Sequence, residues 1–162
     1  TSLNFQPQCL KVVDRFRLLT DIFEVVSDQE CCKGYLRRQE VAADEFLFRQ
    51  HMDAPTLHIV ESGEFSVMIE RESGDPYRLR RAGAGAVLGA AAFFRKGSRE
   101  EMVSVRADSA GVTWSLSIEA AKEMASKDPA VLLQLQSHLL GVLSERLGAN
   151  LDLMRTIFKM ED

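Results

Sequence analysis

A mainly β fold with flanking helices, built as a jelly roll or small barrel, is the class this sequence predicts. Three observations point to it. Between Cys31 and about Trp114, short apolar stretches alternate with turn signals, whereas both ends of the chain show helical spacing. The turn signals recur steadily: Lys33-Gly34, Ala54-Pro55, Ser62-Gly63, Ser73-Gly74-Asp75-Pro76, Ala82-Gly83-Ala84-Gly85, Lys96-Gly97-Ser98 and Asp108-Ser109-Ala110-Gly111. The 162 residues, 46% hydrophobic and 27% charged, suffice for one core, while 10 Gly and 4 Pro argue against a fibrous or low-complexity chain. A single domain over 1–162 is expected, with a helical part over about 1–30, the β body over 31–116 and helices over 117–162.

Between Phe5 and Ser27, Leu10, Val13, Phe16, Leu19 (or Leu18) and Phe23 fall three or four apart, so one or two short helices are predicted to open the domain. In the β body, Leu57, Ile59 and Glu61 share one face with His58 and Val60 on the other, and Phe65, Val67 and Ile69 alternate with Ser66, Met68 and Glu70. With Ser62-Gly63-Glu64 between them, these stretches read as a hairpin. Val103–Ala107 and Val112–Leu116 read as a second pair around the Asp108–Gly111 turn.

Ser117 or Ser115 is placed to cap a helix burying Ile118, Ala121 and Met124, and Lys127-Asp128-Pro129 interrupts it, with Pro129 suited to the first turn of the next. That last helix carries one stripe: Leu132, Leu135, Leu139, Leu143, Leu147, Leu151, Met154 and Phe158. The barrel or a second copy of the chain must cover it, so a homodimer through this helix is expected. Gly141 and Gly148 each cost about 1 kcal/mol relative to Ala inside a helix, which predicts a bend or fraying near Gly148.

Charge narrows the partners. With 20 Lys+Arg against 24 Asp+Glu the formal net charge is −4, and the densest basic run is Arg78, Arg80 and Arg81, read as a solvated strand face. Nucleic acid is therefore not an expected partner. No apolar run reaches the roughly 20 residues needed to cross a bilayer, and the start Thr1-Ser2-Leu3-Asn4 lacks a signal-peptide pattern, so a cytoplasmic piece of a longer polypeptide is expected. Cys9, Cys31 and Cys32, with His51, His58 and His138, show no zinc-ligand spacing, and neither metal site nor catalytic constellation is assigned. His51 and His58 are expected to be solvated or ordinarily hydrogen-bonded, and Trp114 and the Phe93-Phe94 pair to lie in the core.

Local strings add a resemblance. Phe48-Arg49-Gln50 followed by Asp53 through Val67, with Ser62-Gly63-Glu64 inside it, resembles the strand pair of cyclic-nucleotide-binding domains. Leu79 through Leu88-Gly89 resembles the approach to their phosphate-binding cassette, with Gly85 and Gly89 at the expected places. The likeness runs from about Phe5 to Leu147. It implies a jelly roll with N-terminal helices and a long C-terminal amphipathic helix, and a pocket at Gly89, Ala90, Ala91, Ala92, Arg99 and Val103.

In that family a glutamate after the glycine accepts from the ribose 2′-hydroxyl, and an arginine further on pairs with the cyclic phosphate. Ala90 stands at the glutamate position. For the arginine, counting forward from Gly89 gives Arg99, while counting back from Val103-Ser104-Val105-Arg106-Ala107 gives Glu101 in a loop about two residues longer than usual. Each lost contact is worth roughly 1.5–3 kcal/mol, so tight binding of cyclic AMP or cyclic GMP is not expected and no cofactor is assigned. A rival expectation is a sensor of a cyclic nucleotide or other small anion through Arg99 and the Gly89 corner.

A second string, Leu116-Ser117, Glu119-Ala120, Lys127-Asp128-Pro129-Ala130, Leu143 through Leu147 and Asn150, is similar to the cytoplasmic C-terminal domains of some sulfate-permease-type anion transporters. It implies a regulatory or assembly module tethered to a membrane as part of a transporter.

Overall fold

The computed structural model describes residues 34–53 and 55–159; the predicted N-terminal helices, Cys9, Cys31 and Cys32 lie outside the described residues. Eight strands are assigned among these residues: β1 (Arg37–Val41), β2 (Phe46–Phe48), β3 (Thr56–Ser62), β4 (Phe65–Ile69), β5 (Tyr77–Ala82), β6 (Val87–Leu88), β7 (Ser104–Ala107) and β8 (Gly111–Ser117). Helix α1 (Ala90–Phe94) lies between β6 and β7, and α2 (Ile118–Lys127) and α3 (Pro129–Lys159) follow β8.

The strands form two four-stranded sheets, β1-β8-β3-β6 and β2-β7-β4-β5, with every pairing antiparallel. This is the predicted jelly-roll layering, and it corrects both hairpins. β3 pairs with β8 and β6, whereas β4 pairs with β7 and β5, so the chain changes sheets at Ser62-Gly63-Glu64. It changes sheets again between β7 and β8. A two-sheet sandwich closes by such corners, and a short turn between alternating strands looks the same in sequence whether or not the strands pair.

The alternation in β3 has an unexpected outcome, because both faces are buried. Leu57 and Ile59 join Leu36, Val87, Leu116 and the helical Met124, Leu135, Leu139 and Val142 in an outer core. Val60 joins Val41, Phe48, Phe65, Val67, Ala82, Leu88, Val105 and Ala107 between the sheets. The strand thus separates two cores. Hydrophobic burial on each side holds the helices to one sheet and that sheet to the other.

The helical ends follow the sequence signals. The Ala120 N–H donates to Ser117 Oγ at 3.1 Å, and Glu119 in the first turn and Lys127 in the last suit the helix dipole. The Asp128 N–H closes α2 on the Met124 carbonyl at 2.8 Å before Pro129 opens α3. The Tyr35 hydroxyl donates to Asp128 Oδ2 at 2.5 Å, fastening the approach to β1 to this junction; that bond chiefly pushes the phenol up to about 12.

α3 runs through Gly141 and Gly148 without interruption, in place of the expected fraying. Its stripe is divided rather than continuous. Leu135 and Leu139 are buried and Leu132 and Leu143 pack partly against the outer core, whereas Leu147, Leu151, Met154 and Phe158 are exposed. The helix therefore leaves the barrel after Arg146.

Candidate functional site: the Gly89 corner and the sheet mouth

The corner between β6 and α1 is built on backbone crowding. Gly89 has φ 77°, and a Cβ there would come 2.3 Å from the Thr56 carbonyl oxygen, so only glycine fits. The Phe93 N–H returns to the Gly89 carbonyl at 3.0 Å, closing the single turn of α1. Ala90 and Ala92 are buried, and Ala90 serves the outer core. Ala91 is exposed to solvent. Phe93 is buried but Phe94 is 45% exposed, so the pair is not wholly core. Val103 packs partly against the inner core.

Of the two candidates Arg99 and Glu101, the contacts given place Glu101 beside Gly89. Glu101 is 3% exposed, and its Oε1 lies 3.5 Å from where a Gly89 Cβ would be. Its N–H donates to the Met52 carbonyl at 3.0 Å and its carbonyl accepts from the His51 N–H at 2.8 Å, pinning the residue beneath the turn that holds His51 at φ 67°. Oε1 has no hydrogen-bond partner among the described residues. Burial pushes the carboxyl up to about 7, against the opposing influence of Arg95. Arg99 is half-buried and makes no hydrogen bond or ion pair with a described residue. The corner thus presents a buried carboxyl beside Gly89.

The larger opening lies elsewhere. A cleft of about 500 Å³ at the mouth between the β1-β8-β3 face and β2 is lined by Arg37, Gln39, Phe48, Met52, Thr56 and His58 among others; Gly89, Ala90, Arg99 and Val103 do not line it. It reaches Thr56, whose carbonyl backs Gly89. His58 is buried, against the expectation of a solvated or hydrogen-bonded ring: it stacks on Phe48 at 5.9 Å, its Nδ1 lacks a partner among the described residues, and burial pulls it down to about 4. Alternation in β3 gave no hint of this, because the face opposite Leu57 and Ile59 is equally enclosed. Trp114, half-buried, donates to Glu61 Oε2 at 2.6 Å, and Arg38 donates to the same carboxylate at 2.9 and 3.1 Å. Among the described residues, no three His, Cys, Asp or Glu side chains gather as a metal site would require.

The jelly roll, the glycine corner and the single-turn helix between β6 and β7 coincide with a known family profile, the cyclic nucleotide-binding domain, which matches residues 38–128. The chain belongs to the cyclic nucleotide-binding domain family. Among solved structures, it resembles a cyclic nucleotide-binding domain from Methylobacillus flagellatus at 19% identity and TM-score 0.69, covering 84% of this chain and 82% of that one. The catabolite activator protein of Thermus thermophilus matches at 21% identity and TM-score 0.60, over 86% of this chain and 60% of that one. A global regulator of Xanthomonas campestris described as responsive to c-di-GMP matches at 21% and 0.54, over 70% and 58%. At these identities the likenesses establish the fold. No curated protein sequence matches the chain significantly. No described helix is long and apolar enough to cross a membrane.

Proposed function

We propose that this member of the cyclic nucleotide-binding domain family is a non-catalytic regulatory and assembly module whose corner does not grip cyclic AMP or cyclic GMP in the family's usual way. The observation that carries this reading is the buried Glu101 carboxyl beside Gly89. A cyclic phosphate entering there loses water and meets a carboxyl rather than a guanidinium, while Ala90 supplies no acceptor for a ribose hydroxyl. The combined deficit of roughly 3–6 kcal/mol removes two to four orders of magnitude of affinity.

Calorimetric titration with cyclic AMP and cyclic GMP tests this, backed by thermal unfolding. A ligand at 100 times its dissociation constant stabilises a fold by about 2.7 kcal/mol, a shift of roughly 5–10 °C at this size. No heat and no shift at millimolar nucleotide are expected. Saturable binding in the micromolar range that is lost on Arg99→Ala would instead establish the rival sensor reading.

The exposed end of α3 supports assembly. Leu147, Leu151, Met154 and Phe158 are spaced by four, three and four, the seam of a two-stranded coiled coil, and a second copy of the chain is the proposed occupant. Tethering to an anion transporter is proposed on the Leu116–Asn150 strings alone, and co-purification of the domain's full-length parent with a membrane fraction tests it.

A further inference from the structure

In a sandwich of two sheets the faces turned toward each other are ordinarily apolar, as Phe65, Val67 and Val105 are on the β2-β7-β4-β5 sheet. One end of the opposite face breaks this rule. Leu57, Ile59 and Leu116 point to the outer core, so the residues alternating with them, Thr56, His58, Ser115 and Ser117, point between the sheets. Arg37 and Gln39 join them from β1, since Val41 in the same phase lies in the inner core.

Register sets these groups in rows across three strands. Arg37 pairs with Ser115 and Ser115 with His58; in the next row Gln39 pairs with Thr113 and Thr113 with Val60. Two strand spacings put the Arg37 and His58 backbones about 10 Å apart. Arg37 is exposed at the edge of the sheet, His58 is 5% exposed at the inner end, and the small Ser115 leaves the middle of the row open. Leu47, Phe48 and Met52 supply the apolar wall of the cleft, whose volume of about 500 Å³ suits a small molecule. Two atoms of this face, His58 Nδ1 and Thr113 Oγ1, are shielded from water and lack a hydrogen-bond partner among the described residues. Where the face serves only packing it holds Val41 and Val60 instead.

We propose that the row Arg37-Ser115-His58 is a binding site for a small aryl carboxylate whose ring carries a hydrogen-bonding group opposite the carboxylate. One guanidinium suits one negative charge, and its planar fork matches a carboxylate. The ring lies over Ser115 against Leu47, Phe48 and Met52, and the substituent bonds to His58. That imidazole is uncharged at neutral pH, so it offers one donor and one acceptor and no second cation. None of the lining residues belongs to the Gly89 corner, so the site goes beyond the functional reading above and either can fail alone.

The test uses the full chain at pH 7.5 and constant ionic strength, with 4-aminobenzoate, benzoate and the uncharged 4-aminobenzamide as probes. Thermal unfolding gives affinity, and the imidazole proton resonances, with His58 assigned by its loss in His58→Phe, give location. For 4-aminobenzoate at 100 times its dissociation constant, a rise of roughly 5–10 °C and a shift of the His58 resonance are expected. Benzoate and 4-aminobenzamide, each lacking one polar contact, are expected to bind about tenfold more weakly or worse. Arg37→Gln should weaken 4-aminobenzoate to the level of 4-aminobenzamide, and His58→Phe should remove its advantage over benzoate, while Arg99→Ala changes neither. Should His58→Phe fail to fold, the exposed Arg37→Gln decides the matter. Indifference of the wild type to tens of millimolar 4-aminobenzoate, equal binding of benzoate, or full affinity in Arg37→Gln overturns the proposal.

Discussion

Gly63 and Gly111 stand back to back. A Cβ on Gly63 would lie 2.6 Å from the Gly111 Cα, and a Cβ on Gly111 would lie 2.5 Å from the Ser62 carbonyl oxygen. Each marks a place where the chain changes sheets, so the two corners close the same end of the sandwich against one another. Gly63→Ala is expected to cost about 3 kcal/mol or more in urea unfolding, since φ 91° adds strain to the clash. Gly148→Ala, in open space on α3, is expected to add about 1 kcal/mol.

Glu101 and His58 oppose one another as pH changes. The folded state raises Glu101 from 4.5 to about 7, so its contribution is full below about pH 4.5 and is lost as pH rises to 7. His58 is lowered from 6.5 to about 4, so its contribution is full above about pH 6.5 and is lost as pH falls to 4. Each is worth about 3 kcal/mol, and over the shared window the two slopes cancel. Wild-type stability is expected to stay level from about pH 4.5 to 6.5. Glu101→Gln should then gain stability with rising pH, and His58→Phe should lose it; denaturant midpoints measured at half-unit intervals check both.

The Glu61 carboxylate gathers Arg38 and Trp114 on the outer face of β3 and is held below the usual range chiefly by Arg38. Glu61→Ala is expected to cost roughly 1 kcal/mol and to move the emission of Trp114, the single tryptophan, because its indole N–H loses its acceptor. Unchanged emission would show that the bond does not persist in solution.

Sedimentation equilibrium reads the exposed stripe of α3. A dimer at tens of micromolar is expected, with Leu147→Asp plus Leu151→Asp giving a monomer whose unfolding midpoint at low concentration is unchanged, since both leucines are exposed. A wild-type monomer would remove the proposed assembly.

Much of the fold was legible because local physics decides it. Ser117 finds its N–H, Pro129 opens a helix, and Gly89 takes a left-handed turn. Sheet membership was not legible, since the alternation of Leu57–Glu61 and Phe65–Ile69 says which side chains share a face and nothing about which strand lies alongside. The corner was half legible: counting residues left Arg99 and Glu101 open, and the backbone bonds between Glu101 and the turn at His51 and Met52, which hold it beside Gly89, left no trace in the spacing. Arg80 escaped altogether, because a run of arginines reads as a wet surface, whereas Arg80 is half-buried between the exposed Leu79 and Arg81.

At 1.5 Å per residue, the part of α3 beyond Arg146 reaches roughly 20 Å past the barrel. It is a lever whose pivot is the last packed turn. A tilt of roughly 10° at that pivot carries the tip by about 3 Å over this span. Whatever grips the pivot therefore speaks to anything held at the tip with its displacement enlarged.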